Sequence, residues 1–316
     1  MTVRIAPFFV LALMASAQDR SLSSDADIRW LAFSKDGATL NAVCLDNKLR
    51  QWDVRSGVLR KAQEFADGGR AVGLHAMSGL LALGGRGGVS IQEITTGVPV
   101  RKIATGDRRP NSVAIAPDGQ AIAGSTRAAG NARDEIMRLW DAAGAQRWEV
   151  ANGIGGVSTM AISPDGSELV AGSYDTDIRV WSTRNGELIK RIQELPVSMF
   201  GMAFTPDGQS LATAGVDRIV YIWDAKSWKL QKKLTGQQEM ISAIAYSWDG
   251  KQILTGGFND ITNKHPTSIL LWDVASGKIL KTMPSPHRVA SVALSPDGKL
   301  VAAVSGDKTV RLWNVR

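Results

Sequence analysis

The chain has 316 residues, of which 44% are hydrophobic and 21% are charged, and its formal net charge is +7. This balance is that of a globular protein with ample core and excludes a low-complexity or disordered chain. The single cysteine, Cys44, excludes an intrachain disulfide. We expect Cys44 to be a buried small hydrophobic residue and not a nucleophile.

The first predicted element is a secretory signal peptide over residues 1–17. Arg4 precedes an apolar run, Ile5–Met14, and Ala15-Ser16-Ala17 fits the small-x-small cleavage pattern. The run is shorter than the ~20 residues of a membrane-spanning helix, and no other stretch approaches that length. We expect cleavage after Ala17 and a location in a bacterial periplasm or outside the cell. The alternative is an N-terminus that is disordered or packs on the core.

Residues 18–316 are predicted to form a single repeat domain. A short phrase ending in tryptophan recurs six times, and a seventh copy carries Gln92 instead; the tryptophans are Trp52, Trp140, Trp181, Trp223, Trp272 and Trp313. Successive copies are 40, 48, 41, 42, 49 and 41 residues apart. Self-similarity at a period near forty residues indicates an array of supersecondary units.

A turn motif recurs in the same register and ends in Asp-Gly: Ser34–Gly37, Ala116–Gly119, Ser163–Gly166, Thr205–Gly208, Ser247–Gly250 and Ser295–Gly298. Each copy lies between two short β-rich runs and so predicts a hairpin turn. The fourth unit, taken as representative, predicts strands over 159–163, 168–173, 178–181 and 188–192. Four short antiparallel strands in each period are typical of a propeller blade.

The tryptophan positions and turn motifs resemble those of the WD-repeat β-propeller family, over residues 20 to 316. The resemblance implies an all-β fold: a seven-bladed propeller of four-stranded antiparallel blades. Since the chain stops after the third strand of the seventh unit, residues around Arg20–Ser24 are expected to supply the missing outer strand. The ring then closes by pairing the N-terminal strand with the C-terminal blade, which removes two exposed sheet edges.

The family resemblance also implies a structural hydrogen-bond tetrad of Asp, His, Ser or Thr, and Trp in each blade. The Asp position lies six residues before the Trp and is filled by Asp46, Asp134, Asp175, Asp217 and Asp307. A matching histidine stands in the last blade, where His287 is expected to join Asp307 and Trp313. Thr213 fills the hydroxyl position of blade five. Blade two lacks nearly all of the tetrad, so we expect it to be the loosest, and its sequence leaves open whether it is complete.

Two loops between second and third strands are expanded, at Ser125–Glu135 and Gly257–Ser268, and both lie on one predicted face of the ring. Loops on a rigid scaffold commonly carry binding residues, although neutral surface insertion is the alternative. Eight residues on this face are candidate partner contacts: Arg108, Arg109, Arg127, Arg133, Met199, Phe258, His265 and Arg288. Phe200 lies there too and could instead pack into the central channel.

Charge and histidine content bear on other functions. Lysine and arginine are spread through every blade, often on third strands, as at Arg50, Arg138, Arg179 and Arg311. We interpret this as a solvated strand face and expect no nucleic-acid binding.

His265, His287 and Asp260 could in principle hold zinc, but they match no recognised metal spacing. We therefore predict neither a metal site nor a cofactor.

The sequence favours a non-enzymatic scaffold, a monomeric ring that binds a protein or peptide of unknown identity through its loop-rich face. No nucleophile elbow, zinc-protease motif or phosphate loop is present. The alternative is a periplasmic propeller enzyme, a hydrolase or lyase with a site over the central channel. Fold resemblance alone cannot decide between the two, because many unrelated functions share this ring.

Overall fold

The computed structural model describes residues 20–65, 71–75, 79–85, 87–106, 108–127, 135–151, 156–193, 198–259 and 266–315. Its regular structure consists of strands, which form seven four-stranded antiparallel sheets. This confirms the predicted seven-bladed propeller. Within the described ranges, no helix is long and apolar enough to cross a membrane.

The strands follow one another through the blades in chain order. Blade one contains β2 (Ile28–Phe33), β3 (Thr39–Cys44), β4 (Lys48–Asp53) and β5 (Leu59–Glu64). Blade two contains β6 (Ala71–His75), β7 (Leu80–Gly85), β8 (Gly88–Glu93) and β9 (Pro99–Ile103). Blade three contains β10 (Arg109–Ile115), β11 (Ala121–Arg127), β12 (Glu135–Asp141) and β13 (Gln146–Ala151).

The remaining blades repeat the pattern. Blade four contains β14 (Val157–Ile162), β15 (Glu168–Ser173), β16 (Ile178–Ser182) and β17 (Leu188–Ile192). Blade five contains β18 (Met199–Phe204), β19 (Ser210–Gly215), β20 (Val220–Asp224) and β21 (Leu230–Leu234). Blade six contains β22 (Met240–Tyr246), β23 (Gln252–Phe258), β24 (Thr267–Asp273) and β25 (Ile279–Ser285). Blade seven contains β26 (Val289–Leu294), β27 (Leu300–Ser305), β28 (Thr309–Asn314) and the N-terminal strand β1 (Arg20–Ser23).

The N-terminal strand closes the ring as the sequence predicted. β1 runs antiparallel to β28, with Arg20 opposite Leu312 and Ser23 opposite Thr309. Leu22 is the buried residue of this strand and packs in a cluster with residues of β28 and blade one. The outer edge of β28 is therefore paired by a strand of the same chain, which satisfies its backbone hydrogen-bonding groups.

The hydrophobic core is divided among the junctions between blades. The described residues form seven buried clusters, and each cluster is shared by two neighbouring blades. The repeated tryptophans pack into the junction with the preceding blade; Trp272, for example, contacts residues of blade five. Because both faces of a blade are covered in this way, its central strands carry side chains buried on either side.

Polar contacts also cross some of the junctions, at a β-bulge that occurs in the first strand of every blade except blade two. Ser158 Oγ donates a hydrogen bond to Met199 O at 2.6 Å, and Ser242 Oγ donates to Val289 O at 2.6 Å. The ladder shifts by one residue at both serines, so the bulge aims each hydroxyl at the next blade. These side chains satisfy backbone carbonyls that face a neighbouring sheet.

Blade two is a complete four-stranded sheet, in the order β6-β7-β8-β9. Gln92 is buried in the place of the repeated tryptophan. The junction between blades one and two also contains Gln51, whose side-chain amide donates to Asn41 Oδ1 and to Ile94 O, both at 2.7 Å. At this junction polar side chains occupy space that elsewhere holds an indole ring.

Candidate partner-binding face

One face of the ring is formed by the loops that enter first strands and the loops that join second to third strands. We call it the loop face, and we call the opposite side, with the repeated Asp-Gly turns, the turn face. On the loop face Phe258 ends β23, Arg29 lies in β2, and Arg288 directly precedes β26. Most of the sequence-predicted contacts lie on this face.

Phe258 and Arg288 form a direct contact between blades six and seven. The Arg288 guanidinium lies over the Phe258 ring, 4.8 Å from its centroid, which is the geometry of a cation–π interaction. The two blades can approach because Gly256 has no side chain; a Cβ there would lie 2.4 Å from Val289 Cγ1. The sequence placed both Phe258 and Arg288 on this face but not in contact.

Arg288 is partly desolvated by the protein around it. Its pKa is lowered from the ordinary arginine value, first by burial against the protein and then by repulsion from Arg29. The residue as a whole remains exposed, so the guanidinium stays open to a partner while one side of it rests on protein. The Phe258 ring offsets only part of the free-energy cost of desolvating the Arg288 guanidinium.

Blade three contributes further arginines to the loop face. Arg109 begins β10 and Arg127 ends β11, and the two are directly opposed in the ladder. Arg108 is half-buried, and its carbonyl accepts a hydrogen bond from Thr105 Oγ1 at 2.7 Å. Arg133 and His265 lie outside the described residues.

Met199 does not fit the role of an exposed contact. Its side chain is fully buried in the cluster between blades four and five, together with Val170 and Trp223. It begins β18 at the junction, where packing against the preceding blade removes it from solvent. Phe200, the next residue, is half-buried.

Two exposed apolar residues on the loop face were missed by the sequence reasoning. Tyr174 is 54% exposed and Leu45 is 41% exposed, and both lie in turns between second and third strands. Their positions immediately after a buried second strand are visible in the sequence, but single apolar residues in short turns carry no distinctive pattern. They extend the apolar part of the face beyond Phe258.

The tetrad aspartates have partners other than histidine. Asp175 forms a two-point ion pair with Arg179, with contacts of 2.7 and 3.2 Å, and Asp46 and Asp307 pair in the same way with Arg50 and Arg311. Asp217 instead accepts a hydrogen bond of 2.6 Å from the Tyr221 hydroxyl. The recurring interaction therefore joins each Asp to the residue four positions later. Asp134 lies outside the described residues.

The prediction that third-strand arginines are solvated is wrong for two of them. Arg50 and Arg179 are buried, because the third strand lies inside the blade and both of its faces are covered. Arg179 also contacts the buried Asp177 at 2.9 Å, and Asp177 in turn accepts from Arg191 at 2.5 Å. These arginines are part of a buried charge network and not of a solvent-facing surface.

His287 lies at the predicted place before the first strand of blade seven, but Asp307 is held by Arg311 and Thr309. The His287 carbonyl accepts hydrogen bonds from Thr267 Oγ1 at 2.7 Å and Ser285 Oγ at 2.8 Å. Trp313 is buried in the cluster between blades six and seven. Arg311 and Thr309 are therefore the partners that hold the Asp307 carboxylate.

Among the described residues, the fullest indole network occurs in blade six, where the sequence did not predict one. Trp272 Nε1 donates to Thr255 Oγ1 at 2.9 Å, and Thr255 Oγ1 donates to Gln237 Oε1 at 2.8 Å. The Gln237 amide continues to Glu239 Oε2 at 2.7 Å. Gln237 performs the role expected of a histidine. In blade five Trp223 donates to Thr213 at 3.0 Å, as the resemblance implied.

A central channel of about 400 Å³ runs between the first strands of all seven blades. Among its described lining residues, Tyr246 is the one ionisable group, and burial raises its pKa, with the Asp207 carboxylate adding to the effect. The described part of the chain contains no group of three or more histidine, cysteine or carboxylate side chains placed to hold a metal. His265 and Asp260, which the metal alternative requires, are not among the described residues.

Comparison with known protein families identifies the type of repeat in three segments of the chain. The family described as WD domain, G-beta repeat matches residues 151–182, 190–224 and 277–314. The chain contains WD40 repeats. The three matched segments correspond to blades four, five and seven, and in each of these WD40 repeats the tetrad aspartate contacts the residue four positions later.

Similarity to individual WD40-repeat proteins is confined to short stretches. A segment of 49 residues is 41% identical to the coronin-like protein of Saccharomyces cerevisiae, covering 16% of this chain and 8% of that protein. A segment of 68 residues is 34% identical to eukaryotic translation initiation factor 3 subunit I of Aspergillus terreus, covering 21% of this chain and 20% of the relative. The aligned part therefore spans no more than a fifth of either relative.

Proposed function

We propose that this chain is a non-enzymatic binding scaffold, exported to a bacterial periplasm or the cell exterior, whose loop face docks a protein or peptide. The observation that carries the proposal is the contact at the junction of blades six and seven, where the exposed Arg288 guanidinium lies 4.8 Å from the ring centroid of the half-buried Phe258. Aromatic and arginine side chains contribute much of the binding energy in protein interfaces. Tyr174, 54% exposed on the same face, adds a second residue of this kind.

The WD40 repeats support a scaffold role. Propellers built from such repeats typically serve in protein interaction, and the Aspergillus relative is named as a subunit of a larger factor. In this chain the blades are joined by seven buried clusters and by side-chain hydrogen bonds across the junctions. A frame of this kind holds loops in fixed positions, which reduces the entropy lost when a partner binds.

The N-terminal sequence supports the export part of the proposal. An apolar run after Arg4 and the Ala15-Ser16-Ala17 pattern are typical of a cleaved signal peptide. The ring closes with its own strand β1, so a second copy of the chain is not required to complete a blade. We therefore propose that the mature protein works as a monomeric ring.

Affinity capture with paired variants tests the binding face. The mature chain, beginning at Gln18, is immobilised and exposed to envelope extract, beside a Tyr174→Ser/Phe258→Ser variant. A Leu188→Ser/Leu280→Ser variant is the matched control, because these two side chains are 48% and 52% exposed on outer strands. Binding of a specific protein that is lost in the loop-face variant and kept in the control supports the proposal.

The opposite pattern would contradict it. Binding that survives in the loop-face variant and disappears in the outer-strand control would place the interface on the rim of the ring. Circular dichroism and thermal unfolding of all three proteins separate loss of binding from loss of fold. Size-exclusion chromatography with light scattering on the same samples tests the monomeric state.

A further inference from the structure

Two arginines lie on the loop face near the junction of blades seven and one. Arg29 is the extra residue of a β-bulge in β2, between Ile28 and Trp30, and Arg288 directly precedes β26. The two strands are held side by side, with Leu31 N donating to Ser291 Oγ at 3.3 Å. Both residues are exposed, and repulsion from Arg29 contributes to the lowered pKa of Arg288.

Neither guanidinium has an ion-pair partner among the described residues. Two arginines on other strands do pair with carboxylates: Arg138 with Glu149 at 3.1 Å and Arg191 with Asp177 at 2.5 Å. Asp25, close in sequence to Arg29, is already engaged by Arg50. Two neighbouring cations without a counter-charge repel one another, and a bound anion would relieve that repulsion.

Phe258 holds Arg288 in position for such an anion. The cation–π contact at 4.8 Å restricts the long arginine side chain, so less rotamer entropy is lost when it binds. A lysine or arginine side chain that is surrounded by water has no such contact to restrict its rotamers. The guanidinium carries its N–H donors in a planar fork, which can donate two hydrogen bonds to a planar, bidentate ligand.

We infer that Arg29 and Arg288 form a carboxylate-binding site for an acidic segment of the partner protein. This inference rests on the proposed function and adds the chemistry of the partner. The guanidinium fork matches the two oxygens of a carboxylate, and Phe258 offers an apolar surface for the methylene groups beside it. Two arginines fit one or two carboxylates, whereas nucleic acid is bound by longer rows of cations along the phosphates.

Fluorescence anisotropy with a labelled hexaglutamate peptide tests the site. An Arg29→Gln/Arg288→Gln variant is compared with an Arg55→Gln/Arg184→Gln variant, whose exposed arginines lie on the turn face. Both variants lose the same net charge, so they differ only in where the charge is removed. We expect hexaglutamate affinity to fall by about tenfold or more in the first variant and by less than about twofold in the second.

Three further measurements distinguish carboxylate recognition from general electrostatic attraction and from nucleic-acid binding. An Arg29→Lys/Arg288→Lys variant keeps the charge but loses the fork, and we expect intermediate affinity. Hexalysine should not bind. Equal losses in the two glutamine variants would show general electrostatic attraction and overturn the inference. A thymidine oligonucleotide that binds through Arg29 and Arg288 while hexaglutamate does not would also overturn it, in favour of nucleic acid.

Failure of this inference can be told apart from failure of the proposed function. If the Arg29→Gln/Arg288→Gln protein still captures the partner that Tyr174→Ser/Phe258→Ser loses, the scaffold function stands and the acidic site is wrong. If no variant of the loop face alters capture, the function itself fails.

Discussion

Thr255 Oγ1 donates a hydrogen bond of 2.8 Å to Gln237 Oε1, and the same oxygen accepts from Trp272 Nε1 at 2.9 Å. A single buried hydroxyl thus joins the third strand of blade six to the loop that precedes its first strand. Trp272 Nε1 and Gln237 Oε1 both rely on this hydroxyl as a hydrogen-bond partner, because Thr255 and Trp272 are fully buried and Gln237 is nearly so.

Thr255→Val is expected to destabilise the protein by about 1–3 kcal/mol, because it leaves a buried indole donor and a buried amide acceptor without partners at nearly constant volume. Urea unfolding followed by tryptophan fluorescence measures the change. Thr282→Val, an exposed position on β25, is the control and should change stability by less than about 0.5 kcal/mol. Equal effects at the two positions would show that the hydrogen-bond chain contributes nothing.

Arg179→Met is expected to cost about 3 kcal/mol, because it leaves the buried Asp177 with one charged partner in place of two. Arg191 remains at 2.5 Å from Asp177 and limits the loss. The exposed Arg184→Met variant, in the turn after Trp181, serves as the control. A change in Arg179→Met no larger than in Arg184→Met would mean that the network is energetically neutral.

Leu22→Ala is expected to reduce stability by about 2–4 kcal/mol, because it opens a cavity in the cluster that closes the ring. Leu22 is 4% exposed, and its neighbour Ser21 is exposed on the same strand. Ser21→Ala should therefore have little effect. Limited proteolysis gives a second readout: cleavage near Ser24 should accelerate only in the leucine variant.

The stability of the ring should fall in acid, and Asp307 should contribute to the fall. Burial raises the pKa of Asp307, but hydrogen bonds and charge from Arg311 and Thr309 outweigh it and hold the pKa at about 2, against an ordinary value of 3.8. Since the folded-state pKa is the lower one, this contribution is present above about pH 4 and is lost as the pH falls towards 2. Urea midpoints between pH 5 and pH 2 should fall less steeply for Asp307→Asn than for the unaltered protein. Parallel curves would contradict the assignment.

Cys44 should be unreactive in the folded protein. It is fully buried, and burial raises the pKa of its thiol, although Arg50 acts in the opposite direction. Ellman's reagent at pH 8 should detect almost no thiol until guanidinium is added. Ser56→Cys, at an exposed turn position, should react at once and confirms that the reagent is active. Rapid native labelling of Cys44 would mean that blade one opens readily.

The sequence predicted the architecture well because the features that specify it are local and repeated. Trp223 and the turn Thr205–Gly208 recur at a fixed distance in blade after blade, and each marks a strand or a turn by its own chemistry. The pairing of Arg20–Ser23 with the last blade followed from the count of strands. Neither inference required information on how neighbouring blades pack against one another.

The remaining features depend on the junctions between blades, which the sequence does not show. The spread of lysine and arginine over third strands suggested that Arg179 is solvated, but both faces of its strand are covered and the residue is buried. Met199 was predicted to lie in the loop before blade five, but it begins β18 and is buried in the cluster between blades four and five. Gln237 was missed because an amide replaces the expected imidazole, and nothing in the local sequence indicates that its partner is Thr255.

Ring closure has a consequence for how the protein folds. β1 and β28 are the first and last of the described strands, so the final sheet joins residues of very large sequence separation, and such contacts form slowly. Until β1 arrives, β28 presents an unpaired edge on which a strand from another molecule could be added. The interval between synthesis of the last blade and docking of Leu22 is thus the period in which this chain is most exposed to strand exchange and aggregation.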